Sequence, residues 1–164
     1  MKTFENLAAQ QVFERHLDAF MLDTIIADLQ YLYVEPMDTL ENREKWKAAI
    51  RSNAAWRSIV AYDDGVPCGF IYYFIREESL YIGGIHIPRA YRFHPSVLRG
   101  LLTGALAEEQ GNYEKVFWHV NKKNEESQKN FLRFGKIVGD TGLSYRVEMT
   151  QEGLEKIKSL GNRR

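Results

Sequence analysis

The stretch Leu80–Leu102, LYIGGIHIPRAYRFHPSVLRGLL, is where the fold is decided. Leu80, Ile82, Ile85 and Ile87 supply the apolar, β-branched content of a buried strand. Gly83 and Gly84 interrupt it, and paired glycines inside a strand pattern predict a bulge or a close approach to the backbone. Pro88 ends the ladder because it has no N–H to donate. Residues 89–96 are polar and aromatic and show no periodicity. From Val97 the spacing turns helical, with Val97, Leu98, Leu101, Leu102, Ala105 and Leu106 on one face. A strand that feeds a helix through a basic loop outlines an anion site. The first helical turn offers free N–H groups there, and the helix dipole adds partial positive charge.

Upstream, residues from about 4 to 33 read as helical, because Leu7, Val12 or Phe13, Leu17, Phe20, Met21, Ile25 and Leu29 recur at helical spacing. Asp23 or Thr24 is a candidate cap for a break, and no strand is expected in residues 1–33. A turn around Pro36 leads to a helix from Thr39 to about Ser52, carrying Trp46 and Ile50. Trp56–Tyr62 and Val66–Arg76 pair through Asp63-Asp64-Gly65, since Asp-Gly tolerates the positive φ of a tight hairpin. Glu77, Glu78 and Ser79 make the next turn.

Downstream, the helix from Val97 runs to Gln110 and stops at Gly111. Lys115–Asn121 is a strand with Val116, Trp118 and Val120 on one face and Phe117 and His119 on the other. Asn124 caps a helix to Phe134 that Gly135 closes. Ile137–Val138 and Leu143–Met149 are strands, Gln151–Leu160 is a helix, and Gly161–Arg164 is a tail. The sum is an α/β (α+β) domain in which helices flank a mixed, mostly antiparallel sheet. The crossover helix sets Lys115–Asn121 parallel to Leu80–Ile87.

A length of 164 residues suits one domain, and 45% hydrophobic and 13% aromatic content supports a core. Lys plus Arg equals Asp plus Glu at 22 each, which argues against nucleic acid or an anionic membrane as partner. The single cysteine, Cys68, excludes an internal disulfide framework. The four histidines, His16, His86, His94 and His119, lack metal-ligand spacing, so no metal is expected. Neither a membrane span nor a signal-peptide core is visible, and a cytoplasmic protein is the expectation.

Several pieces, in order, resemble the GNAT N-acetyltransferase superfamily over about Arg57 to Met149. Ile59–Gly65 with Val66–Ile71 is similar to the family's first long hairpin. Ile85-His86-Ile87 followed by Tyr91-Arg92 is similar to the strand and loop before its pyrophosphate turn. Val120 followed by Asn124, Ser127 and Gly135 is similar to its second cofactor element. The resemblance implies a GNAT-like fold, acetyl-CoA as co-substrate and a small-molecule or peptide amine as acceptor. It implies a helical acceptor side in residues 1–55, a cofactor-binding core in 56–150 and a C-terminal helix after it. It assigns Ile85 and Ile87 to the pantetheine arm. Arg92, Phe93, His94, Ser96 and Val97 fall to the pyrophosphate, and Asn124, Ser127 and Phe131 to the second element. Self-association into a homodimer is also allowed for.

The sequence departs from the family pattern twice. Pro95 and Val97 occupy the glycine positions of the pyrophosphate turn in one register, and a shift by one restores no glycine. Arg89, Arg92, His94 and Arg99 are the side chains that would replace the lost backbone donors. Phe131 stands where the family often has a tyrosine acid. Base candidates are Glu77 and Glu78 through water, His86, and His119 across the cleft; Ser127 and Tyr145 are the substitute acids. Each has a plain structural reading as well: turn carboxylates face solvent, and a strand histidine is ordinarily packed and bonded. Phe20, Tyr31, Tyr33, Trp46 and Trp56 are candidates for an aromatic acceptor pocket. Two functions follow, an N-acetyltransferase or a catalytically degenerate binding or regulatory module on the same fold.

Overall fold

The computed structural model describes residues 1–16, 20–52, 55–92 and 94–160, without the side chains of Ala9, Phe13 and Tyr31. In chain order the elements are β1 (Lys2–Ala8), α1 (Ala9–Arg15), α2 (Leu22–Leu29), α3 (Leu40–Arg51), β2 (Arg57–Asp63), β3 (Val66–Arg76) and β4 (Ser79–His86). They continue as α4 (Pro95–Glu108), β5 (Lys115–Asn121), α5 (Glu125–Phe131), β6 (Gly135–Asp140), β7 (Ser144–Met149) and α6 (Gln151–Ser159). The expectations at Leu17 and at Gly161–Arg164 lie outside the described residues.

The strands form one seven-stranded sheet in the order β1-β2-β3-β4-β5-β7-β6. Every neighbouring pair is antiparallel except β4 and β5, which run parallel as the crossover helix α4 requires. One face carries α4 and α6 over a core that includes Ile71, Leu80, Leu101, Val116, Trp118 and Ile157. The other carries the residues around α1 to α3 over Leu7, Leu22, Ile25, Trp56, Val60 and Phe70. No helix among the described residues is long and apolar enough to cross a membrane.

The N-terminal expectation is corrected: Lys2–Ala8 is a strand, not the start of a helix. It pairs along β2 from Lys2 with Asp63 to Ala8 with Arg57. Leu7 is its one fully buried side chain, so its own pattern is weak, and the free backbone edge of β2 recruits it. Phe4 lies on α4 at Gly100, where a Cβ would come within 2.0 Å of the ring. The break expected at Asp23 or Thr24 falls before α2 begins. Thr24 donates instead to the Phe20 carbonyl, and Asp23 pairs with Arg43.

Helix α4 starts two residues before the apolar periodicity does. His94 is its N-cap and Pro95 its first helical residue, where a missing N–H is spare. Asn124 caps α5 by accepting from the Ser127 N–H at 2.8 Å, and a 3₁₀ turn, Leu132–Phe134, follows before β6.

Candidate active site

The site begins at a break in strand pairing. β4 and β5 pair from Ser79 with Lys115 to Ile82 with Trp118 and then separate. At the same point β4 bulges. Tyr73 opposes Ile82 and Tyr72 opposes Gly84, so Gly83 is an extra residue with no partner on β3. Beyond it, Gly84, Ile85 and His86 keep β3 on one side and have no β5 strand on the other, which leaves a fork in the sheet.

The two glycines are there because Tyr72 lies against their backbone. A Cβ on Gly83 would stand 2.1 Å from Tyr72 Cε2, and one on Gly84 would stand 2.6 Å from Tyr72 Cε1 and 2.8 Å from His86 Nε2. The Tyr72 ring then stacks on the His86 imidazole, with an interplanar angle of 6° and centroids 6.1 Å apart. Burial pushes the Tyr72 phenol up, so it stays neutral.

His86 is buried, and its Nδ1 lies 2.9 Å from Asp28 Oδ2 on α2. A carboxylate only accepts, so Nδ1 carries the proton of the neutral ring and Nε2 keeps its lone pair, on the edge beside Gly84. The other Asp28 oxygen accepts from Arg92 Nη2. Arg92 Nε donates to the Ile87 carbonyl at 3.2 Å, and Nη1 is 3.8 Å from Glu126 on α5. One guanidinium thus ties α2, the end of β4 and α5 together.

The fork opens into a cavity of about 610 Å³ that runs through the sheet. On the α4 side it is lined by Ile85, Ile87, Leu98, Leu102 and Phe134, with Asn124, Ser127, Asn130 and Phe131 of the α5 segment. On the other side it is lined by Asp28, Leu29, Tyr33, Trp46, Tyr72 and His86. The fit to an acyl-CoA rests on this lining. The pantetheine arm needs an apolar slot with backbone hydrogen-bond groups along it, and the unpaired β5-side edge of residues 83–87 supplies them. Among the described residues the buried indole N–H of Trp118, at the fork, finds no acceptor, a donor that a ligand carbonyl would satisfy. Arg92 and Arg133 are the cations that line the cavity.

Of the residues named from sequence, Ile85, His86, Ile87, Arg92, His119, Asn124, Ser127 and Phe131 are brought together here. Val97 is fully buried in the α4 core, and Ser96 borders a shallow groove with Lys2 and Phe4. His94 is exposed at the cap of α4, and Phe93 lies outside the described residues. Glu77 and Glu78 form the β3–β4 turn at the opposite end of β4, beside Glu114, and do not line the cavity. Tyr145, on β7 opposite Val120 with Lys122 Nζ 4.9 Å from its ring centroid, does not line it either. Tyr33 and Trp46 line the cavity on its α2 side. Phe20 packs edge-on against Phe70, Trp56 packs on Tyr72, and the Tyr31 side chain is not described. Asp28 and Tyr72 were missed. Asp28 had a signal: a carboxylate three residues after Ile25 lies on the buried face of an apolar helix.

The sequence matches the acetyltransferase (GNAT) family over residues 17–135. No curated protein matches the chain. Among solved structures, the PaiA N-acetyltransferase of Thermoplasma acidophilum, in complex with coenzyme A, is 16% identical with a TM-score of 0.70, covering 92% of this chain and 99% of that one. Campylobacter jejuni PseH, an N-acetyltransferase in complex with acetyl coenzyme A, is 12% identical with a TM-score of 0.55, covering 92% and 99%. Arabidopsis thaliana NAA60, in complex with a bisubstrate analogue, is 16% identical with a TM-score of 0.58, covering 91% and 98%. These likenesses are of fold. The family match itself runs from ahead of α2, through the forked strands and α5, to the first residue of β6, and by it the chain belongs to the acetyltransferase (GNAT) family.

Proposed function

We propose that the protein moves an acetyl group from acetyl-CoA to a primary amine, with His86 as general base. The observation that carries this reading is the Asp28–His86 pair at 2.9 Å, set in the fork between β4 and β5. Acetyl-CoA, when bound, supplies an acyl carbon open to a nucleophile and a thiol as leaving group. Asp28 holds the imidazole so that Nε2 accepts a proton from the acceptor ammonium. The freed nitrogen forms the new C–N bond as the C–S bond breaks. Backbone N–H groups of residues 83–87 are donors to the carbonyl oxygen as charge develops on it. On collapse the nitrogen sheds a second proton and the thiolate needs one; the Ser127 hydroxyl, on the cavity wall, is the proposed relay, giving its proton to sulfur and regaining one from nitrogen, because Phe131 has no hydroxyl. Arg92 and Arg133 are the proposed phosphate ligands in place of a glycine turn.

The test is calorimetric titration with acetyl-CoA followed by free-thiol release against a panel of amines. His86→Gln is expected to keep CoA affinity and to lower turnover by about 10²–10⁴-fold, the usual contribution of a positioned base. Unchanged turnover in His86→Gln removes the base assignment. Pro95 and Phe131 favour the second reading, a non-catalytic binding module. Tight acetyl-CoA binding with no turnover on any amine selects it.

A further inference from the structure

Building on the acyl-transfer reading, we infer that the acceptor is a monoamine carried on an aromatic or compact apolar body, and not a polyamine or an aminoglycoside. The acceptor side of the cavity is walled by Leu29, Tyr33, Trp46 and Tyr72. Such a wall repays apolar area removed from water, and its ring faces attract one ammonium. It offers little to a chain of cationic nitrogens.

Charge decides the matter. The cavity-lining carboxylates are Asp28 and Glu126, matched by the guanidiniums of Arg92 and Arg133. Asp28 is already shared between His86 and Arg92, and Glu126 stands 3.8 Å from Arg92. Glu126 belongs to α5, across the cavity from the aromatic wall, so among the described residues a second or third ammonium along that wall would meet no unshared carboxylate, and an unpaired charge taken from water is costly. A monoamine escapes this. Its single positive charge disappears when the proton passes to His86 Nε2, and what remains is an apolar body against an aromatic wall.

The experiment compares 2-phenylethylamine, spermidine and kanamycin as acceptors in free-thiol release from acetyl-CoA. The same 2-phenylethylamine is titrated into CoA-loaded protein by calorimetry. The expected kcat/KM for 2-phenylethylamine exceeds that for spermidine by at least about tenfold, the scale of a shaped apolar pocket. Trp46→Ala is expected to raise KM for 2-phenylethylamine about tenfold or more while the Kd for CoA stays unchanged, and Trp46→Phe to restore most of the loss. Equal or better turnover of spermidine or kanamycin overturns the inference and leaves the transferase reading standing. Trp46-dependent binding of 2-phenylethylamine without turnover of any amine overturns the transferase reading and the acceptor assignment with it, and leaves an aromatic-monoamine binding site. No binding of 2-phenylethylamine overturns the inference.

Discussion

At the residue scale the site turns on a carboxylate that can only accept. Asp28 meets His86 Nδ1 at 2.9 Å and takes an Arg92 guanidinium on its other oxygen. The imidazole is fixed between that contact and the Tyr72 ring, so its free nitrogen has one direction to face. Replacing Asp28 by Asn keeps the shape but removes the rule, because an amide can also donate to Nδ1 and turn the lone pair inward. Asp28→Asn is expected to lower kcat by about 10²-fold or more while CoA affinity is kept, as loss of tautomer control does in a triad. Adding Asp28→Asn to His86→Gln is expected to cost no further turnover, because Asp28 acts only through the imidazole. A purely structural role for Asp28 would instead lower stability and make the two losses multiply in the double variant.

At the element scale, the fork follows from two ends of one strand. At its start β4 is joined to β3 by a two-residue turn, Glu77-Glu78, in which both residues have positive φ, 49° and 57°. That geometry suits a hairpin and disfavours glutamate, which carries a Cβ and no local hydrogen bond to offset it. At its other end the Gly83 bulge increases the local twist and carries β4 away from β5. Substituting the pair, Glu77→Asn with Glu78→Gly, is expected to stabilise the protein by about 1 kcal/mol, about 2–4 °C in Tm for a chain of this size. Turnover is expected to stay the same, because the turn is at the closed end of the strand. A fall in turnover beyond tenfold would return these carboxylates to the list of base candidates.

At the scale of the whole molecule, acid is expected to loosen the N-terminal layer. His16 Nε2 lies 2.8 Å from the Tyr62 hydroxyl, which donates to Glu5 at 3.0 Å. Burial holds the Tyr62 phenol protonated, pushed up to about 12, so its one proton goes to Glu5 and the neutral His16 is the donor to its oxygen. Burial pushes His16 below its ordinary 6.5, and the Arg15 hydrogen bond holds the Glu5 carboxyl below 4.5. Both shifts have the same sign: the unfolded chain binds more protons than the folded one in these windows. Stability is therefore full above pH 6.5, falls through His16 below it, and falls again through Glu5 below 4.5. Urea unfolding at pH 7.5 and 5.5 checks this, with His16→Gln expected to shrink the difference between the two midpoints. An undiminished difference would assign the acid sensitivity to another group.

Local chemistry in the sequence was enough for the central sheet, because each strand from β2 to β5 is rich in apolar, β-branched and aromatic residues and the β2–β3 turn carries Asp64-Gly65. The same held for the bulge at Gly83-Gly84, the parallel pair across α4, the Asn124 cap and Pro95 as a tolerated first helical residue. The family resemblance rested on those same local pieces. Tertiary structure alone decided the rest. β1 exists because β2 has an open edge, and Asp28 reaches His86 across 58 positions of chain. Arg92 is tied to Asp28 and Ile87. The physical reason is common to all three. Periodicity and turn chemistry act between neighbours along the chain, whereas a buried charge finds its partner, and a free strand edge its cover, only among groups that folding has already brought within a few ångströms.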